Sequence, residues 1–185
     1  SDSGLGFATG ATMANFTALA VARNANAGYD VRREGVSAAS GPLTAYASSE
    51  IHSCNQKAVE MLGLGSDGLR LIPVREDFTL DLAALRRRVA ADREAGCIPF
   101  CVIATAGTIN TGAIDDMNAI ADFCSAEGLW FHVDGAIGAV AILADNVRDG
   151  LKGMERADSI ALDLHKWMHV PYDAGCVLVR DAELV

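Results

Sequence analysis

An acid and an amine stand close behind two strand-like segments in the second half of the chain. Asp134 directly follows the apolar run 129–133, and Lys166 comes a few residues after the segment 157–162. Such segments are typical of strands in a parallel sheet, and the ligands of open α/β sheets gather beyond the strand ends. We therefore expect this carboxylate and this amine to share one pocket.

Pyridoxal phosphate is a cofactor that requires such a pair. A lysine binds its aldehyde as a Schiff base, and an acid keeps its pyridine nitrogen protonated, so that the ring can withdraw electrons. Each residue also has an ordinary structural explanation when it is taken alone. Asp134 could cap a turn, and Lys166 could be a solvated surface charge.

The motifs around the two residues carry a wider resemblance. His-Val-Asp-Gly-Ala at 132–136 and Asp-Leu-His-Lys-Trp at 163–167 resemble the group II decarboxylases of the fold type I pyridoxal phosphate enzymes. Aromatic amino acid and glutamate decarboxylases belong to this group, and the resemblance extends over about 7–180. It implies an aspartate aminotransferase-like fold, pyridoxal phosphate as cofactor and decarboxylation of an L-amino acid, with aromatic amino acids favoured.

The composition restricts the class of protein. A chain of 185 residues that is 51% hydrophobic can bury the core of one domain, and its apolar stretches end well before the roughly 18 residues of a membrane span. The net charge of −9, without a basic stripe, argues against a nucleic-acid partner. Five cysteines without a paired spacing predict neither a disulfide framework nor a metal site. A cytoplasmic location is the default expectation.

Helical and strand-like segments alternate along the chain, which predicts an α/β fold. We expect a three-layer αβα arrangement with a mostly parallel sheet, as in the large domain of pyridoxal phosphate transferases. The opening residues are predicted to form a loop with no strand before the first helix, and 28–41 is predicted to be a loop. Helices are predicted at 13–24, 54–62, 81–95 and 116–127, and strands at 43–47, 69–74, 100–105, 129–133, 160–162 and 176–179.

A turn of small residues before the first helix is a candidate phosphate site. Thr9-Gly10-Ala11-Thr12 lets the backbone approach an anion, and the positive end of the helix dipole favours it there. A purely structural helix cap is the alternative. The resemblance assigns phosphate contacts to Ala11 and Thr12, although Met13 replaces the glutamate that is usual in the family's motif.

The resemblance also assigns the remaining site residues. His52 corresponds to the histidine that stacks on the pyridine ring and helps orient the substrate, and Ala136 would pack on the opposite ring face. Thr108 would lie beside the cofactor, and His165 would contact the phosphate. The implied catalytic residues are Lys166, Asp134 and His52. Ile137 replaces a tyrosine that is frequent in the aromatic decarboxylases, so the substrate class stays open.

The family's organisation leads to further expectations. Residues 1–185 would form the cofactor-binding large domain of a longer chain, without the N-terminal segment and the C-terminal small domain. The family is homodimeric, and a mobile loop beyond the lysine supplies a tyrosine across the dimer interface. Two alternatives stay open: another fold type I enzyme, such as an aminotransferase or a desulfurase-like lyase, and a large-domain fragment without catalysis.

Overall fold

A computed structural model describes residues 3–185, and within them seven strands form one sheet. The spatial order is β1-β7-β6-β5-β4-β2-β3. The pairs among β2 to β6 are parallel, whereas β7 pairs antiparallel with both β6 and β1. The strands are β1 (Gly4–Ala8), β2 (Leu43–Ser48), β3 (Leu69–Ile72), β4 (Ile98–Thr105), β5 (Trp130–Asp134), β6 (Ser159–Asp163) and β7 (Gly175–Val179).

Helices cover both faces of this sheet, which confirms the predicted three-layer α/β fold. Helices α1 and α3 pack in one apolar cluster with β2 and β4, and α4 and α5 pack in a second cluster on the other face. Two short helices, α2 and α6, complete the set. Their bounds are α1 (Ala11–Asn26), α2 (Val31–Glu34), α3 (Ser53–Met61), α4 (Leu82–Glu94), α5 (Met117–Glu127) and α6 (Leu164–Trp167). No helix in 3–185 is both long and apolar enough to cross a membrane.

Strand β5 lies in the middle of the sheet, and all five of its residues are buried. Successive side chains of a strand point to opposite faces. Phe131 and Val133 pack in the cluster of α4 and α5, whereas Trp130 packs in the cluster of α1 and α3. His132 and Asp134 share the orientation of Trp130. The two polar side chains of β5 therefore face α1 and α3.

The start of the chain differs from the prediction. Strand β1 occupies part of the segment predicted to be a loop, and it pairs with β7, for example Gly6 with Val177. Glycine has a low strand propensity, so the alternation of Gly4 to Ala8 gave little local signal, and the pairing depends on a strand at the other end of the chain. The predicted loop also included Ser1 and Asp2, which lie outside the described residues.

The predicted loop at 28–41 was also partly wrong, since it contains α2. Asp30 caps this single turn by accepting a hydrogen bond from the Arg33 amide. The other predicted elements are present, and their ends differ from the prediction by two residues or fewer.

A close approach between glycines fixes the position of the α1 N-terminus. Gly10 links β1 to α1 at a φ of 127°, a backbone conformation that favours glycine. A Cβ on Gly175, the first residue of β7, would lie 2.5–2.7 Å from the backbone of Gly10. The first turn of α1 is therefore held directly beside the end of the sheet.

Candidate active site

All eight site residues predicted from the sequence line one pocket. This pocket has a volume of about 460 Å³ and lies at the carboxyl ends of β5 and β6, beside the N-terminus of α1. The predicted residues in its wall are Ala11, Thr12, His52, Thr108, Asp134, Ala136, His165 and Lys166. The other lining residues include Glu50, Cys54, Ile109, Ile137, Asp163 and Tyr172.

Asp134 ends β5 and is 4% exposed. Its Oδ2 accepts a hydrogen bond from Asn55 Nδ2 at 2.6 Å, and its Oδ1 accepts one from the backbone amide of Ala136 at 3.2 Å. Both donors are neutral amides, and each hydrogen bond fixes one oxygen of the carboxylate. The structure thus presents an oriented carboxylate, which fits the need of a protonated pyridine nitrogen for a negative partner.

A buried polar network continues behind Asp134. His132 Nε2 donates to Asn15 Oδ1 at 2.8 Å, and His132 Nδ1 accepts from the Ser159 hydroxyl at 2.9 Å. Asn15 Nδ2 donates to Cys54 Sγ, which also accepts from Asn55 Nδ2. Burial lowers the pKa of His132 to about 4, although the charge of Asp134 opposes the shift. The ring is therefore neutral near neutral pH, in agreement with its two hydrogen bonds.

Lys166 lies in α6, the single helical turn after β6, rather than at the end of the strand itself. Its Nζ is 2.9 Å from Asp163 Oδ2, and its side chain is 33% exposed. Asp163 is 3% exposed, and its Oδ1 has no hydrogen-bond partner within 3–185. The amine is thus inside the pocket, paired with a carboxylate that retains one free acceptor.

The predicted phosphate site combines α1 and His165. Gly10 precedes α1, no side chain caps the helix, and its first turn carries no acidic residue. The Met13 amide donates to the Gly10 carbonyl, so the N–H groups of Ala11 and Thr12 are the ones available to an anion. His165 packs against Gly10, since a Cβ on that glycine would lie 3.5 Å from the imidazole ring. Its Nδ1 accepts from the Ala174 amide at 3.0 Å, which orients the ring.

His52 and Thr108 each form hydrogen bonds with neighbouring residues of their own turn. His52 caps α3, because its Nδ1 accepts from the Cys54 amide at 3.2 Å, which leaves the other ring nitrogen for a ligand. The Thr108 hydroxyl lies 2.6 Å from that of Thr111 and accepts from the Ala113 amide. Both side chains line the pocket, and both are oriented by contacts that need no cofactor.

Sequence reasoning missed the residues that support Asp134. Asn55 and Asn15 are fully buried, and neither was assigned a function. His132 was also given none. One signal was present: Asn55 is a polar residue on the face of α3 that also carries Ala58 and Val59, and it follows His52 by three positions. A buried amide on an apolar helix face requires a hydrogen-bond partner.

A comparison with known proteins agrees with this geometry. Residues 2–185 match the model of the pyridoxal-dependent decarboxylase conserved domain. The chain belongs to this family. It is 42% identical over 177 residues to the aromatic-L-amino-acid decarboxylase of Bacillus atrophaeus, an alignment that covers 96% of this chain and 35% of that protein. Pyridoxal phosphate is the cofactor of the family, and its members are amino acid decarboxylases.

Solved structures show the same fold. The crystal structure of mouse CSAD superposes with a TM-score of 0.93 at 35% identity, over 97% of this chain and 37% of that one. The structure of Oryza sativa TDC with PLP and tryptamine gives a TM-score of 0.88 at 34% identity, over 98% of this chain and 37% of that one. The chain thus spans about a third of the length of the relatives that it matches.

Proposed function

We propose that this protein decarboxylates an L-amino acid, preferably an aromatic one, with pyridoxal phosphate bound at Lys166. One observation carries the proposal. Asp134, held by neutral donors, and Lys166 line the same pocket at the ends of two hydrogen-bonded parallel strands. The membership of the chain in a pyridoxal-dependent decarboxylase family supports the same reaction.

Each residue of the pocket has a distinct part in this proposal. Lys166 would hold the cofactor aldehyde covalently, and Asp134 would face the ring nitrogen. Ala11, Thr12 and His165 would bind the phosphate. When bound, the cofactor supplies the electron sink for the bond that breaks. His52 and Ala136 would lie on the two faces of the ring, with Thr108 beside it.

The charge of the pocket wall favours an uncharged substrate side chain. Glu50, Asp134 and Asp163 contribute three carboxyl groups, and within the described chain no arginine lines the pocket. A carboxylate or sulfinate side chain would meet this charge without a guanidinium partner. Ile109 and Ile137 add apolar surface. Glu50 favours a diamino acid as the second candidate, because it could pair with a side-chain ammonium.

Product analysis tests the reaction. The chain, supplied with pyridoxal phosphate, is incubated separately with L-tryptophan, L-2,4-diaminobutyrate and L-aspartate, and carbon dioxide and keto acids are measured. We expect carbon dioxide release that is weak in these 185 residues alone, fastest from tryptophan, and absent in Lys166→Ala. Keto acid without carbon dioxide would instead indicate an aminotransferase. Aspartate as the best substrate would contradict the aromatic preference, and the absence of any product would support a fragment without catalysis.

The assembly and location are also proposals. We infer a homodimer, as the family resemblance implies, because Ile109 and Tyr172 in the pocket wall and Trp167 next to Lys166 expose large side chains. Sedimentation equilibrium is expected to give twice the chain mass, and a monomer at micromolar concentration would contradict the dimer. A cytoplasmic location is proposed as the default expectation from the composition and is tested by fractionation of the source cells.

A further inference from the structure

The contact between Asn55 and Asp134 joins the start of α3 to the end of β5. Nδ2 of Asn55 lies 2.6 Å from Asp134 Oδ2, both residues are buried, and they are 79 positions apart in the sequence. The orientation of the amide follows from chemistry, since its oxygen would be a second acceptor if it faced the carboxylate. Oδ1 of Asn55 is buried without a hydrogen-bond partner within 3–185. The nitrogen of the buried amide thus donates to Asp134, whereas its oxygen has no hydrogen-bond partner within 3–185.

The second buried asparagine of the network offers a comparison. Asn15 is also fully buried and also donates to Cys54 Sγ, but its oxygen accepts from His132 and it makes no hydrogen bond to Asp134. The two side chains thus share type, burial and one partner. They differ in whether they contact the carboxylate of the pocket.

We propose that Asn55 is a positioning residue, which fixes the orientation of the Asp134 carboxylate opposite the cofactor nitrogen. An amide donates a hydrogen bond but gives up no proton near neutral pH, so Asn55 orients the carboxylate without transferring a proton to it. This inference rests on the proposed function. It adds a residue that contacts neither substrate nor cofactor and acts through Asp134.

Other titratable groups surround Asp134 from several elements. His132 lies on the same strand and Cys54 on α3, whereas Asp163 and Lys166 lie across the pocket, and Glu50 and His52 complete its wall. Burial raises the pKa of the Cys54 thiol to about 12, so this group stays neutral in the physiological range. None of these groups hydrogen-bonds to Asp134. If substitution of Asn55 alters the pH dependence of cofactor affinity, the change can therefore be assigned to the lost hydrogen bond between Asn55 and Asp134.

The replacement Asn55→Asp tests the proposal, with Asn15→Asp as the matched control. The probe is pyridoxamine phosphate, which has the ring nitrogen and the phosphate but no aldehyde to react with Lys166. Its dissociation constant is measured against pH by fluorescence on the full chain. For the wild type we expect affinity to fall as pH rises and the ring nitrogen loses its proton.

Two carboxyl groups in hydrogen-bond contact share one proton, so Asn55→Asp would neutralise part of the charge of Asp134. We expect its affinity to be about tenfold weaker at neutral pH and to recover as pH rises, opposite to the wild type. Asn15→Asp is expected to lower the melting temperature but to keep the wild-type pH profile. Asn55→Ser introduces a smaller neutral donor and is expected to keep the wild-type pH profile with intermediate affinity. If Asn55→Asp does not fold, Asn55→Ser tests the positioning role in its place.

The outcomes separate this inference from the proposed function. Wild-type affinity and pH profile in a folded Asn55→Asp, or an altered profile in Asn55→Ser, would overturn the positioning role alone. An equal change in Asn15→Asp would overturn it as well. A wild-type chain that binds no pyridoxamine phosphate, and whose Lys166 takes up no pyridoxal phosphate, would overturn both.

Discussion

Two carboxylates stand at the ends of neighbouring strands, and their surroundings differ. Asp134 on β5 has a neutral donor on each oxygen, whereas Asp163 on β6 is paired with Lys166 and has one oxygen without a hydrogen-bond partner within 3–185. The first arrangement holds a charge in place. The second holds the amine of Lys166. In the proposed function, the pocket would thus combine a fixed partner for the cofactor ring with a nucleophile that can be released.

Packing explains this difference. Every residue of β5 is buried between two helical layers, and the polar network behind Asp134 is closed by side chains of α1 and α3. Strand β6 alternates buried and half-buried residues, and the single turn of α6 that follows it has no buried residue. Rigid support is therefore expected on the β5 side and conformational freedom on the β6 side.

Removal of the nucleophile is expected to have the largest effect. Lys166→Ala deletes the amine that would hold the cofactor, so carbon dioxide release should fall by roughly 10³-fold or more. Lys152→Ala is the matched control, because Lys152 is exposed and paired with Asp149. Turnover above a tenth of the wild type in Lys166→Ala would show that the amine after β6 is not the nucleophile.

Removal of the fixed charge is expected to separate turnover from binding. Asp134→Ala should lower turnover by about 10²- to 10³-fold, the size of effect that a preorganised electrostatic group produces. Cofactor affinity should fall by a smaller factor, because Lys166 and the phosphate site are intact. Steady-state kinetics and a cofactor titration measure the two quantities. Unchanged turnover would contradict the role given to Asp134.

The neutral network on the β5 side predicts a loss of stability in acid. His132 takes up a proton near pH 6.5 in the unfolded chain but only near pH 4 in the folded one. The unfolded state therefore binds more protons between these values, and the free energy of unfolding falls as pH falls through them. The loss is on the order of 3 kcal/mol. It should shrink in His132→Gln when unfolding is followed in urea from pH 7 to pH 4, and an identical pH dependence would contradict it.

Substitution of the second carboxylate is expected to have the smallest effect. Asp163→Asn keeps an oxygen that can accept from Lys166 and removes one charge from a partly exposed ion pair, so turnover should change by less than about tenfold. Asp134→Asn, the same substitution on β5, should cost clearly more. Equal losses in the two variants would show that the two carboxylates do not differ in function.

The alternation of elements could be predicted from the sequence because it depends on local patterns. The eight residues, most of them assigned by the family resemblance, all line one pocket, and their roles stay predictions. Strand β1 could not be predicted, since its pairing with β7 joins opposite ends of the chain. The contact from Asn55 to Asp134 was missed for the same reason. The ion pair of Lys166 depends on α6, a single turn that gave no helical period to detect.

The position of the reactive lysine tests the central claim most directly. The purified chain is mixed with pyridoxal phosphate and reduced with borohydride, and the modified lysine is located by peptide mass spectrometry. The account predicts a stoichiometric adduct at Lys166, with Lys57 and Lys152 unmodified. Labelling spread over all three lysines would contradict it, because it would show that the amine of Lys166 does not lie in a formed cofactor pocket.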